Sequence, residues 1–134
     1  MKLGDLIKGG AQEGKEKHVP TIELVECKEC GGRGVKVTVG KEVAHPNTVE
    51  HHIKWIALFG VKNGVAVHIA TFDLGPTYGI PKAVTHANLD GLSELVAVEY
   101  CNLHGLWGAY TKLNIKAPAG LESTATVDST GPGA

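Results

Sequence analysis

The sequence predicts an all-β domain, a sandwich or a barrel. Three observations carry this: short alternating apolar segments, turn signals between them, and the lack of any strong helical period. The segment "GVKVTVG" (34–40) sets Val35, Val37 and Val39 on one face and Lys36 and Thr38 on the other, the two-residue period of a strand. "IKWIALFGV" (53–61) and "VAVHIATF" (65–72) are two strand-like runs joined through Asn63-Gly64. Asn-Gly fits a tight hairpin, because a type I′ turn needs positive φ at both central residues. "TIELVE" (21–26), "ELVAVEY" (94–100) and "AYTKLNIK" (109–116) are further strand candidates. The valine content agrees, since β-branched side chains pack well on a pleated surface. "LGPTYGIPKAVTHANLDGL" (74–92), with two prolines and several glycines, reads as a loop crossing between sheets.

The 134 residues fit one domain, spanning 1–116 with an N-terminal lead-in. That length can bury a core without disulfide staples. Residues 117–134, "APAGLESTATVDSTGPGA", form a low-complexity tail of small and polar residues, expected to be mobile unless a partner surface holds it. A net charge of -1 provides no basic field for nucleic acid. No apolar run approaches a bilayer span, so no membrane association is expected. "MKLGDLIKGG" lacks the apolar core of a signal peptide. The expectation is a cytoplasmic protein. Three cysteines, Cys27, Cys30 and Cys101, cannot all pair within one chain. In a reducing compartment they read as ligands or thiols before bridges.

Seven histidines are many for this length. "KEVAHPNTVEHHIKW" (41–55) packs three of them into eight positions, around a Pro-Asn turn that lets His45 and His51 face one centre. In "EYCNLHGLW" (99–107), Cys101 and His104 follow a strand, where a turn can aim a thiolate and an imidazole at one point. In "GKEKHVP" (14–20), Pro20 biases Val19 towards extended backbone and places His18 on the lead-in to the first strand. Thiolate plus imidazoles is a transition-metal set. Structural zinc closes a tetrahedron with four such ligands. A His₂Cys copper site on a cupredoxin-like electron carrier is the alternative; against it, the one methionine is Met1 and the imidazoles are too many.

Taken in order, "EKHVP" (16–20), "GKEVAHPNTVEHHIKW" (40–55) and "YCNLHGLW" (100–107) resemble the superoxide reductases, the neelaredoxins and the catalytic domain of the desulfoferrodoxins. The resemblance implies an immunoglobulin-like β-sandwich of about seven strands holding one mononuclear iron. His18, His45, His51 and His104 would lie in the equatorial plane, with Cys101 on the axis. Glu16 and Lys17 match the Glu-Lys pair that precedes the first ligand: Glu16 would cap the oxidised iron, and Lys17 would attract the substrate and aid proton delivery. The implied activity is the one-electron reduction of superoxide to hydrogen peroxide, with a rubredoxin-like protein returning the electron and a homo-oligomer, tetramer or dimer, as the assembly. The chemistry is coherent. Five ligands leave one octahedral position open, a ferrous thiolate site keeps net positive charge for an anionic substrate, and the thiolate pushes electron density onto the metal. That donation stabilises ferric iron and disfavours dismutation, which needs a strong ferric oxidant.

The remaining histidines take plainer readings. His68 lies mid-strand and faces solvent or a local partner, and His86, an isolated histidine, reads as a surface or satisfied core residue. His52 points away from His51 along extended chain, as a structural support. "CKECGG" (27–32) departs from the one-iron pattern. Cys27 and Cys30 are open to three readings: thiols, a reversible disulfide, or half a metal site completed by another subunit.

Overall fold

The computed structural model describes residues 1–14, 17–26, 28, 33–115 and 125–129, with Ile115 and the last five by backbone alone. Among these the chain forms nine strands: β1 (Ile7–Lys8), β2 (Pro20–Val25), β3 (Gly34–Val39), β4 (Ile53–Lys62), β5 (Val65–Asp73), β6 (Lys82–His86), β7 (Glu94–Cys101), β8 (Gly105–Ile115) and β9 (Ala125–Ser129). The larger sheet runs β1-β8-β7-β4-β5, with β9 also paired to β8; the smaller runs β2-β3-β6. All pairs are antiparallel except β1 with β8. The two sheets face each other as a β-sandwich. No helix among the described residues is long and apolar enough to cross a membrane.

The alternating segments become the core. Val35 and Val37 of β3 are fully buried, and they meet Ile56 and Leu58 of β4 and Leu95 and Ala97 of β7 from the other sheet. Burying each valine, leucine or isoleucine side chain among them stabilises the fold by roughly 1.5–3 kcal/mol. The hairpin β4–β5 turns at Asn63 (φ 51°) and Gly64 (φ 75°), both in the left-handed region that the dipeptide predicts.

The stretch 74–92 differs from its reading as a plain loop. It does cross from the larger sheet to the smaller and back, but it contains β6, paired to β3 from Gly34↔His86 to Thr38↔Lys82. β6 is an edge strand bonded on one side only, so it needs little apolar pattern, and the prolines before it hide what pattern there is. The tail expected over 117–134 re-enters the larger sheet at β9, which pairs with β8 from Thr111↔Ser129 to Ile115↔Ala125; its other residues lie outside the described ones. Cys27 and Cys30 fall between β2 and β3 and also lie outside them.

Candidate metal centre

Three separate segments bring the predicted donors to one end of the sandwich. His18 arrives on the lead-in to β2. The Glu13 carboxylate accepts the backbone N–H groups of His18 and of Val19, the latter at 3.2 Å, and so fixes that approach. His45 and His51 sit on the loop between β3 and β4. That loop leaves β3 at Gly40, whose φ of +81° is left-handed; a Cβ there would stand 2.6 Å from the His45 amide nitrogen. Thr48 and His51 close a turn through backbone bonds of 2.8 and 3.3 Å. Cys101 ends β7 facing the core, fully buried, and His104 follows in the turn to β8.

The four imidazoles form a closed quadrilateral. Neighbouring ring centroids are 4.8 Å apart for His18–His45, 4.6 Å for His45–His51, 4.9 Å for His51–His104 and 5.0 Å for His104–His18. The diagonal His18–His51 is longer, 6.4 Å. Neighbours stand steeply to one another, at 70–82°, like blades around an axis. His18 Nε2 and His104 Nδ1 are 3.2 Å apart; two nitrogens each about 2.1 Å from one ion, at a right angle, would be about 3 Å apart. Cys101 Sγ lies 3.7 Å from His45 Nε2 and 3.8 Å from His104 Nδ1. The donor atoms of His18, His51, Cys101 and His104 all fall within 4.8 Å of one another. His45 Nδ1 bonds the Pro46 carbonyl at 2.7 Å, which makes it the protonated nitrogen and turns the Nε2 lone pair inwards. One thiolate and four imidazoles suit one mononuclear iron.

Lys17 is half-buried beside His18, and among the described residues its ammonium pairs with no carboxylate. Glu16 lies outside the described residues. His52 is buried and turned away from the cluster, its Nδ1 bonding the Thr48 carbonyl at 3.0 Å. His68 is on the outer face of β5, bonding Thr71 Oγ1 at 2.7 Å and packing edge-on against Phe59. His86 ends β6, exposed, and is not among the grouped donors.

Three further residues shape the site. Asn102 joins two of the donor segments: its Oδ1 accepts the His52 amide at 2.8 Å, its Nδ2 donates to the Glu50 carbonyl at 2.9 Å, and its own amide donates to the His52 carbonyl at 3.2 Å. Trp107 stacks on His18 at 4.5 Å and 12°. Glu99 is fully buried on the same face of β7 as Cys101, opposite Trp107. Burial, reinforced by the charge of Glu13, pushes its carboxyl up to about 9, so in the metal-free chain it is a neutral acid at pH 7. The sequence did carry a signal for Glu99. Alternation in "ELVAVEYC" places it in the inward phase with Leu95, Ala97 and Cys101, where a carboxylate is out of place. Asn102 and Trp107 lie inside the motif "YCNLHGLW", but nothing local marks them as anchors.

The chain has known relatives. The desulfoferrodoxin family profile matches residues 10–110. The superoxide reductase of Pyrococcus abyssi is 43% identical over 110 residues, covering 78% of this chain and 93% of its own length. The neelaredoxin of Megalodesulfovibrio gigas is 32% identical over 131 residues, covering 87% of this chain and 100% of its own. The solved structure of a superoxide reductase (neelaredoxin) from Ignicoccus hospitalis superposes with a TM-score of 0.71 at 32% identity, over 84% of this chain and 97% of that one. The chain belongs to the desulfoferrodoxin family, alongside the superoxide reductases and neelaredoxins.

Proposed function

We propose that this chain is a superoxide reductase whose single iron is held by His18, His45, His51, His104 and Cys101. The observation that carries the reading is the closed ring of four imidazoles against one buried sulfur, assembled from three distant segments. Iron held there would supply a ferrous–ferric couple, the one-electron chemistry by which superoxide, with two protons, becomes hydrogen peroxide. The chain supplies the rest. Cys101 donates charge from the core side, where no water competes for it. Lys17, with no carboxylate to neutralise it among the described residues, offers positive field to an anionic substrate and a proton source within reach of water. Glu16 keeps its role as a proposed cap for the oxidised state, on the resemblance alone. Four converging imidazoles favour this reading over a His₂Cys copper carrier, which would leave two of them without a purpose.

A rubredoxin-like one-electron donor and a cytoplasmic setting complete the proposal. So does a homo-oligomer, dimer or tetramer. The outer face of the larger sheet supports it: Phe59, Val96 and Tyr110 stand in one cross-strand row, beside Trp55 stacked on Tyr100 at 5.9 Å. Such a face suits self-association.

The test is a pulse of superoxide on the reduced, iron-loaded protein. The expected result is rapid oxidation with one peroxide formed per iron and no dioxygen released. Sustained dioxygen release would make the protein a dismutase, and an inert centre would leave only a metal-binding module. Lys17→Ala should slow the encounter and weaken its salt dependence while keeping the iron; an unaltered rate at low salt would reduce Lys17 to a surface charge.

A further inference from the structure

A second lysine reaches the donor cluster from an unexpected direction. β1 is only two residues long, yet it adds in parallel to the edge of β8, with Ile7 opposite Leu106 and Lys8 opposite Trp107. The Lys8 ammonium donates a hydrogen bond to the backbone carbonyl of His104 at 3.1 Å. The same ammonium stands 5.4 Å from the centroid of the Trp107 ring. That ring lies flat on His18 at 4.5 Å. One cation therefore holds the turn that carries one donor and the aromatic plate that supports another, although it is 96 residues from His104 in the chain. Nothing in the chemistry derived so far uses it.

We propose that Lys8 is a positioning residue for the metal centre, fixing the His104 turn and the Trp107–His18 stack and adding positive charge beside them. The inference rests on the iron reading above, but the grip itself does not. Two consequences follow. Outer-shell partners that orient metal ligands typically account for 10–100-fold in metal affinity. A cation beside the centre favours its less positive, reduced state, so removing it lowers the reduction potential.

The comparison is between Lys8→Met, which keeps the apolar stem, and Lys8→Arg, which keeps charge, donor and ring contact. Lys2→Met, in the same arm, is the control. Each variant is titrated with a competing chelator, poised for its midpoint potential, and, without metal, followed by amide hydrogen exchange over residues 104–107. Lys8→Met should lose about tenfold in iron affinity, shift to lower potential, and exchange faster over 104–107. Lys8→Arg and Lys2→Met should match the parent in all three. A Lys8→Met protein that matches the parent in affinity and potential overturns the proposal. So does a Lys8→Arg protein as impaired as Lys8→Met, which would reduce the lysine to a steric fit of the arm. The exchange measurement needs no iron. A parent chain that binds none would sink the function reading, while the grip would still be judged.

Discussion

Two hairpins of the larger sheet share a left-handed glycine but differ in what holds them. The β4–β5 turn is self-sufficient: Asn63 and Gly64 take left-handed backbone, and a Cβ at Gly64 would meet nothing within 4 Å. The β7–β8 turn, which carries Cys101 and His104, also closes on a left-handed glycine, Gly105 (φ 83°), but is held from outside as well. Asn102 ties it to the His51–His52 segment, Lys8 bonds its His104 carbonyl, and buried Glu99 and Trp107 lie below it on paired strands. A turn that only reverses the chain can be specified by two residues. A turn that must aim two donors at a point shared with other segments needs contacts far away in sequence.

The largest expected effect separates the two hairpins outright. Cys101→Ser should lose the red thiolate-to-iron absorption and nearly all reductase activity while keeping the fold, since serine fills almost the same buried space; survival of the band would exclude the sulfur as a ligand. Asn102→Ala comes next. It removes two side-chain hydrogen bonds across segments, and should cost about 1–3 kcal/mol in thermal or urea unfolding together with roughly tenfold in iron affinity. An equal loss of stability with full iron affinity would mean that the donors are set by their own loops.

Glu99 tests the floor of the site through pH. Its folded-state value, about 9, is raised above the ordinary carboxyl range. The stability this confers is full below the unfolded-state value and is lost as pH rises towards 9. Metal-free protein should therefore weaken by up to ~1.4 kcal/mol per pH unit between about pH 5 and 9. Glu99→Gln should flatten that profile, and an unchanged slope would assign the dependence to other groups. The smallest effect belongs to the other hairpin. Gly64→Ala should cost about 1 kcal/mol, the strain of a left-handed alanine, with iron affinity and potential untouched. Any change at the iron would show that the two turns are coupled through β4.

What could be read from the sequence follows the same division. The β3, β4, β5 and β7 segments announced themselves because their inward residues repeat every second position, and Asn63-Gly64 because its backbone demand is local. The five proposed donors stand out in the sequence as spaced motifs and through their resemblance to a family. Their supports were not. Asn102 acts 50 residues from its partner His52, and Lys8 acts 96 residues from His104; a polar residue in a turn looks the same with or without such a contact. β1 and β6 are short edge strands, whose stability comes from pairing with β8 and β3 rather than from any apolar pattern of their own.

X-ray absorption at the iron edge, on the iron-loaded chain and on Cys101→Ser, counts the sulfur and nitrogen neighbours of the metal. One sulfur and four nitrogen neighbours around a single iron are expected, with the sulfur gone and the imidazole signature kept in the serine protein. A parent spectrum without sulfur, or with fewer imidazoles than the ring of four, would contradict that coordination.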